Sequence, residues 1–161
     1  MLVVSDTSPL RGLQVLGLTG LLDRWYGHVV VPTAVASELA VPTATTGPFP
    51  FGDHPFIRVA APTDVARVEA LLQQVDKGEA EAISLALELG VTTILMDEID
   101  GRALARRYGL SPTGVLGMLV RAKRERLIPA AAPLIVRLER EIEFRVSASL
   151  RESVLRDSGE L

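Results

Sequence analysis

The chain of 161 residues contains no cysteine, so it has neither a disulfide framework nor a thiolate metal site. Any bound metal would therefore be held by oxygen atoms or by the two histidines. No apolar run reaches the roughly 20 residues that a membrane helix requires. The N-terminal sequence MLVVSDTS lacks a basic segment followed by a long apolar core, so it does not read as a signal peptide. We therefore expect a soluble, cytoplasmic protein.

Aromatic residues are also scarce, at 4% of the chain, which leaves few side chains on which nucleic-acid bases could stack. The net charge of −3 argues against a protein that wraps nucleic acid by bulk positive charge. Basic residues nevertheless concentrate in one span, where Glu125 is the isolated acid: Arg102, Arg106, Arg107, Arg121, Lys123, Arg124 and Arg126. The sequence thus predicts a local basic surface, although solvated helix charges are an equally good interpretation.

Apolar, β-branched runs at residues 2–5, 28–31 and 91–96 alternate with segments of helical periodicity. This alternation predicts a single domain over residues 1–161, a three-layer α/β/α sandwich with a short, mainly parallel central sheet. Residues 57–60 are expected to form an edge strand, and residues 110–112 only an extended link. The segment 41–55, rich in proline, glycine and threonine, is expected to be a long surface loop.

Four carboxylates have related placements in this pattern. Asp6 and Asp97 directly follow buried strands, at the edge where open α/β sheets bind ligands. Glu38 and Glu79 lie on helices beside core positions, whereas Glu81, two residues from Glu79, points to another side. Each acid alone is better explained as a cap, a turn residue or a solvated charge. Four converging acids would repel one another unless cations neutralised them, and oxygen ligands favour Mg²⁺ or Mn²⁺.

The order and spacing of four motifs, SDTS, VPTAVASEL, GEAEAISLALELG and ILMD, resemble those of PIN-domain nucleases. More narrowly, GEAEAISLA, followed by LMDEIDGRALARRYGLSPTGVLGMLVRAK and a C-terminal SLRESVLRDSGE, resembles the compact VapC-like toxins. The resemblance covers nearly the whole chain. It implies a ribonuclease that uses Mg²⁺ or Mn²⁺, often a homodimer, and often restrained by a small antitoxin protein that covers the acidic groove.

Carried over by position, the acids of the family fall on Asp6, Glu38, Glu79 and Asp97 as metal ligands and catalytic groups. The third position is commonly aspartate in the wider family but is Glu79 here, and the residue two before the last acid is commonly serine or threonine but is Leu95. Near this acidic end, we expect three arginines to contact the RNA backbone, which holds a nucleic acid in register without reading its sequence: Arg102, Arg106 and Arg107.

Two other functions compete with the nuclease. A haloacid-dehalogenase-type phosphatase also places an aspartate after its first strand, but it requires a second aspartate two residues later, where this chain has Ser8. The other alternative is a degenerate PIN-like scaffold that binds a partner without catalysis, which the departures at Glu79 and Leu95 would favour. Phosphate-loop and dinucleotide-binding glycine patterns are absent.

Overall fold

Five parallel strands form one sheet in the order β3-β2-β1-β4-β5 in the structure, a computed structural model that describes residues 1–161. The strands are β1 (Leu2–Ser5), β2 (His28–Pro32), β3 (Ile57–Ala60), β4 (Thr93–Leu95) and β5 (Ser111–Thr113). Nine α-helices flank or follow the sheet: α1 (Thr7–Leu16), α2 (Gly20–Tyr26), α3 (Thr33–Ala40), α4 (Val65–Leu71), α5 (Lys77–Leu89), α6 (Ile99–Arg107), α7 (Val115–Arg124), α8 (Ala132–Glu141) and α9 (Ala148–Asp157). None of the helices is long and apolar enough to cross a membrane.

The side chains of the central strands alternate between two hydrophobic cores, one on each face of the sheet. On β1, Val3 belongs to a core of 25 buried residues and Val4 to a second core of 14. On β4, Leu95 packs into the larger core and Ile94 into the smaller one. Because both faces are covered, the strands are apolar throughout, and the expected three-layer α/β/α sandwich with a parallel sheet is confirmed.

The expected extended link after α6 is instead an edge strand, β5. It pairs in parallel with β4 in the register Thr93↔Ser111, Ile94↔Pro112 and Leu95↔Thr113. The backbone N–H of Ser111 donates to the carbonyl of Thr92 at 2.7 Å. Proline is tolerated at a sheet edge because its missing N–H leaves no ladder bond unmade on the outer side. A three-residue strand centred on Pro112 carries no alternation that a sequence pattern could detect.

Local backbone geometry sets three helix boundaries. The segment 10–26 divides into α1 and α2 at Gly17, whose φ of 69° is the left-handed conformation of a C-terminal cap. Helix α6 begins at Ile99 with Glu98 as its N-cap, so Asp100 lies in the first turn and does not cap the helix. Thr113 belongs to β5, and Gly114 takes the N-cap position of α7.

Helix α7 ends in a Schellman arrangement that lacks its usual glycine. The N–H of Leu127 bonds to the carbonyl of Ala122, and the N–H of Arg126 bonds to that of Lys123. Arg126 therefore adopts a φ of 60°, which is strained for a residue with a Cβ. We expect Arg126→Gly to increase the free energy of unfolding by about 0.5–1 kcal/mol. Urea denaturation measures this; a loss of stability would contradict it.

Candidate functional site

An open cleft of about 930 Å³ lies at the carboxyl edge of the sheet. The strand order reverses between β1 and β4, which is where doubly wound sheets leave a crevice for ligands. Asp6 directly follows β1, and Asp97 follows β4 after one intervening residue. Glu38 on α3 and Glu79 on α5 line the same cleft. Four acids from four different elements therefore face one space.

Asp6, directly after β1, has only 6% of its surface exposed. Burial raises the pKa of Asp6 to about 7, and the charges of Asp76, Glu38 and Asp97 add to the rise, while the backbone N–H of Thr7 opposes it. No side chain donates a hydrogen bond to the Asp6 carboxylate. A buried carboxyl group among other acids and without a donor side chain is suited to a cation.

Glu79 lies in the first turn of α5 and is also 6% exposed. Its backbone N–H donates to the carboxylate of Asp76, the N-cap of the helix, at 2.8 Å. Burial raises the pKa of Glu79 to about 8, and the neighbouring Asp76 and Asp6 add to the rise. A Cβ on Gly101 would overlap the carboxylate of Glu79 and lie 2.7 Å from Met96 Sδ, so a larger residue would have to displace these side chains.

The carboxylate of Asp97 is held from both sides. Its Oδ1 accepts the backbone N–H of Val115 at 2.8 Å, and its Oδ2 accepts the hydroxyl of Ser8 at 2.8 Å. Burial raises the pKa of Asp97, although the bonds from Val115 and Ser8 oppose that rise. A Cβ on Gly114 would lie 2.6 Å from Oδ1, so this glycine allows the carboxylate to approach the first turn of α7.

Glu38 is exposed on α3, while its helix neighbours Val35 and Leu39 are buried. The hydroxyl of Thr7 donates to Glu38 Oε2 at 2.5 Å. A Cβ built on Gly78 would lie 3.1 Å from Glu38 Oε1 and 3.2 Å from Asp6 Oδ1, which shows that these two acids converge on the start of α5. Thr7 and Ser8 on α1 thus position two of the four acids.

Glu81 does not reach the cleft. Its Oε1 accepts the backbone N–H of Ala34 at 2.9 Å and the hydroxyl of Thr33 at 3.0 Å. It therefore satisfies free N–H and O–H groups at the N-terminus of α3, where a negative charge is also favoured by the helix dipole. Of the two glutamates in GEAEA, the structure brings only Glu79 together with the other acids.

The three arginines expected to contact RNA lie on α6 and do not line the cleft. Arg102 is half-buried and donates to the carbonyl of Met96 at 3.0 Å. Arg107 donates to the side-chain carbonyl of Gln74 at 2.8 Å, and Arg106 is exposed. The arginines that line the cleft are instead Arg11, Arg140 and Arg145.

Arg11 lines the cleft and connects the end of α3 to the loop that follows it. Its buried guanidinium donates to the carbonyl of Glu38 at 2.9 Å and to that of Val41 at 2.5 Å. Longer contacts of 3.4 Å reach Thr46 and Gly47 in the loop that follows α3. Arg11 thereby fixes both the end of the helix that carries Glu38 and the start of the 41–50 loop.

Sequence reasoning missed Asp76, which lies in the cleft beside Glu79. The spacing Asp-x-x-Glu is a helix N-terminus pattern and could have placed Asp76 at the cap, three residues before the predicted ligand. The close approach of Gly101 and Gly114 to carboxylates has no sequence signal, because the partners are distant in the chain. Arg140 and Arg145 were also missed, since nothing in the local pattern ties the end of α8 to the acids.

The donor set of the cleft fits Mg²⁺ or Mn²⁺, because it consists of carboxylate and hydroxyl oxygens. In the present side-chain conformations, no three acidic or histidine residues lie close enough together to coordinate one ion. Mg²⁺ usually keeps several of its waters and takes one or two carboxylates directly, so it does not require three converged ligands. Burial is the main cause of the raised pKa values of Asp6 and Glu79, and the neighbouring acids add to the rise, so a cation would favour the ionised forms.

Leu95, the position at which the family commonly has a serine or threonine, is fully buried and packs into the larger core. It does not line the cleft, so this departure leaves the arrangement of the four acids untouched.

One of three comparisons with known proteins gives a match. Searches of curated proteins and of solved structures each returned no match. A family model described as PIN domain matches residues 2–160, which is almost the entire chain. The PIN domain is a nuclease-type fold that generally depends on divalent metal ions. The chain therefore belongs to the PIN-domain family.

Proposed function

We propose that the chain is a metal-dependent ribonuclease that hydrolyses phosphodiester bonds. The observation that carries this proposal is the convergence of Asp6, Glu38, Glu79 and Asp97, each from a different element, on one cleft at the strand-order reversal. Two of these acids have pKa values raised to about 7 and about 8. Such an accumulation of acids destabilises a fold unless a cation compensates it, so it is expected where the cation has a function.

In this proposal Asp6, Glu38, Glu79 and Asp97 hold Mg²⁺ or Mn²⁺. The bound metal would supply Lewis-acid polarisation of the scissile phosphate and a more acidic water as the source of the nucleophile. The protein groups keep the ligands in place: Ser8 and the N–H of Val115 fix both oxygens of Asp97, and Thr7 holds one oxygen of Glu38. Such positioning limits the reorganisation that binding and reaction require.

RNA as the substrate, and the biological role as a VapC-like toxin, rest on the resemblance of the motifs from GEAEAISLA to the C-terminal SLRESVLRDSGE. We propose further that the protein is a cytoplasmic homodimer and that a small antitoxin with a basic segment covers the acidic cleft. Sedimentation of the purified protein tests the dimer. Co-purification with the product of an adjacent gene tests the antitoxin.

The substrate is tested by incubating purified protein with a fluorescently labelled, mixed-sequence single-stranded RNA and with DNA of the same sequence. We expect cleavage of the RNA with Mg²⁺ or Mn²⁺ and none with EDTA. Cleavage of the DNA alone would keep the nuclease but refute the substrate. Absence of any cleavage by folded protein that binds RNA without metal would favour the non-catalytic scaffold.

Substitution of Gly114 tests whether the approach of Asp97 to α7 matters for activity. We expect Gly114→Ala to lower cleavage at least tenfold, because the added Cβ would displace Asp97 Oδ1 from the N–H of Val115. Gly117 is the matched control on the same helix, since a Cβ there meets its nearest atom at an ordinary 3.6 Å. Equal cleavage by the Gly114→Ala and Gly117→Ala variants would show that the close contact of Asp97 with α7 is not needed for activity.

A further inference from the structure

The end of α8 and the connector to α9 form a second part of the cleft lining. Residues 140–145 line the cleft from this side. Arg140 and Arg145 are exposed, and neither has a carboxylate oxygen within 4.0 Å. The neighbouring cations are paired: Arg137 with Glu141 at 2.8 Å, and Arg151 with Glu139. The arginines in the cleft are thus the ones left free on this wall.

The connector that carries Arg145 is anchored to the core. Ile142, Phe144 and Val146 are half-buried and pack against the larger core, and Arg145 stands between them as an exposed residue. The N–H of Phe144 bonds to the carbonyl of Leu138 at 3.2 Å. Ile142 and Phe144 therefore both contact the core and line the cleft, whereas Glu143 and Arg145 are the exposed residues of the connector.

The two walls of the cleft are joined near its edge. The hydroxyl of Thr45, in the loop fixed by Arg11, donates to the carbonyl of Glu141 at the end of α8. A ligand in the cleft therefore meets the four acids and the segment 140–145. On this segment Arg140 and Arg145 are unpaired, Glu141 is paired with Arg137, and Glu143 is exposed. A phosphodiester strand matches both the acids with their cations and the unpaired arginines, since each phosphate attracts a metal ion on one side and an arginine on the other.

We infer that Arg140 and Arg145 bind consecutive phosphates of a single-stranded nucleic acid in the cleft that the acids line. The inference deepens the proposed nuclease function and rests on it. A flexible single strand fits between walls that are joined at Thr45 and Glu141 more readily than a stiff duplex does. Phe144 is the one aromatic side chain in the cleft lining, so binding should depend on backbone charge with little preference for sequence.

This assignment differs from the one that the sequence predicted. The guanidinium groups of Arg102 and Arg107 already donate to Met96 and Gln74, and the α6 arginines lie outside the cleft. Comparing substitutions of Arg140 and Arg145 with substitutions of the α6 arginines therefore distinguishes a phosphate-binding wall inside the cleft from a basic surface beside it.

The experiment measures binding of a 5′-fluorescein-labelled 12-nucleotide RNA by fluorescence anisotropy with Mn²⁺, from low to moderate salt. An Asp97→Asn background prevents cleavage during the measurement. The test variant carries Arg140→Gln and Arg145→Gln. The matched control carries Arg24→Gln and Arg58→Gln, which remove two exposed, unpaired arginines that do not line the cleft. A third protein carries Arg106→Gln and Arg107→Gln. RNA cleavage is measured in parallel with proteins that carry the same substitutions but retain Asp97.

We expect the test variant to bind at least tenfold more weakly than the control at equal net charge. Its slope of log K against log salt should be smaller by about 1.4, because a single strand releases roughly 0.7 counterion per neutralised phosphate. RNA cleavage by the test variant should decrease together with its affinity. Equal binding by the test and control variants, or a loss confined to the α6 variant, would overturn the inference.

The outcomes separate this inference from the proposed function. Metal-dependent cleavage that is unchanged in the test variant refutes the phosphate-binding wall and leaves the nuclease intact. Failure of every protein to bind or cleave RNA refutes both. Tight binding of a polyglutamate peptide that needs Arg140 and Arg145, with no RNA binding, would show that the wall receives an acidic protein segment and would also overturn the inference.

Discussion

Replacement of Asp97 by asparagine is expected to reduce RNA cleavage about 1,000-fold while the fold remains intact. Asparagine keeps the shape of the side chain, so its carbonyl can still accept the N–H of Val115, and the hydroxyl of Ser8 can turn to accept from its amide. The lost negative charge weakens the hold on the metal. A loss of about 4 kcal/mol of transition-state stabilisation corresponds to this change in rate. Single-turnover cleavage with saturating protein measures it.

Asp100→Asn provides the matched control for this prediction. Asp100 is exposed in the first turn of α6, three residues from Asp97, and does not line the cleft. The control removes the same charge from the same region, so it should cleave as fast as the wild type. Thermal melting confirms that both variants are folded. An Asp97→Asn protein that cleaves within about threefold of the control would show that this carboxylate has no part in the reaction.

The metal-free protein is expected to lose stability as the pH rises from about 4 to about 8. Asp6 has a pKa of 3.8 when unfolded and about 7 in the fold, and Glu79 shifts from 4.5 to about 8. In this interval the folded state binds more protons than the unfolded state, so the free energy of unfolding falls with increasing pH. The contribution of Asp6 and Glu79 to the free energy of unfolding is present in full below their unfolded-state pKa values. It is lost as the pH rises through their folded-state pKa values.

Asp6→Asn should remove much of this dependence, because asparagine does not titrate. A shift of about three pKa units corresponds to roughly 4 kcal/mol, so at pH 8 in EDTA the variant should be more stable than the wild type by a few kcal/mol. Urea unfolding at pH 5 and pH 8 measures the effect. Asp23→Asn, an exposed residue on α2 outside the cleft, is the control and should follow the wild type. A wild type that is more stable at pH 8 than at pH 5 would contradict the prediction.

The strands nearest the site were predictable because burial on both faces selects uninterrupted apolar, β-branched runs. Residues 2–5 form β1 as expected, and 28–31 lie within β2, which extends to Pro32. The position of Asp6 and Asp97 at one edge followed from the rule that parallel strands share their carboxyl ends. Strand β5 was not predicted, because three residues around Pro112 are too few to show an alternation of apolar and polar residues.

The details of the cleft depend on contacts between residues far apart in the chain, which a local pattern does not contain. Ser8 holds Asp97 across 89 positions, and Thr7 holds Glu38 across 31. The clustering of arginines after residue 102 predicts a phosphate-binding surface on α6, and this stays a prediction. The arginines that line the cleft itself are Arg11, Arg140 and Arg145. Charge density in the sequence indicates a basic surface, but only the fold determines which arginines line the cleft.

The most direct test of the central claim is calorimetric titration of Mn²⁺ into the metal-free wild type and into Asp6→Asn at pH 8, where more of the acids are ionised than at lower pH. We predict saturable binding of at least one Mn²⁺ by the wild type and a loss of at least tenfold in affinity in the variant, because Asp6 lies among the other acids of the cleft. No binding by folded wild type, or equal binding by both proteins, would contradict a metal site built from these acids.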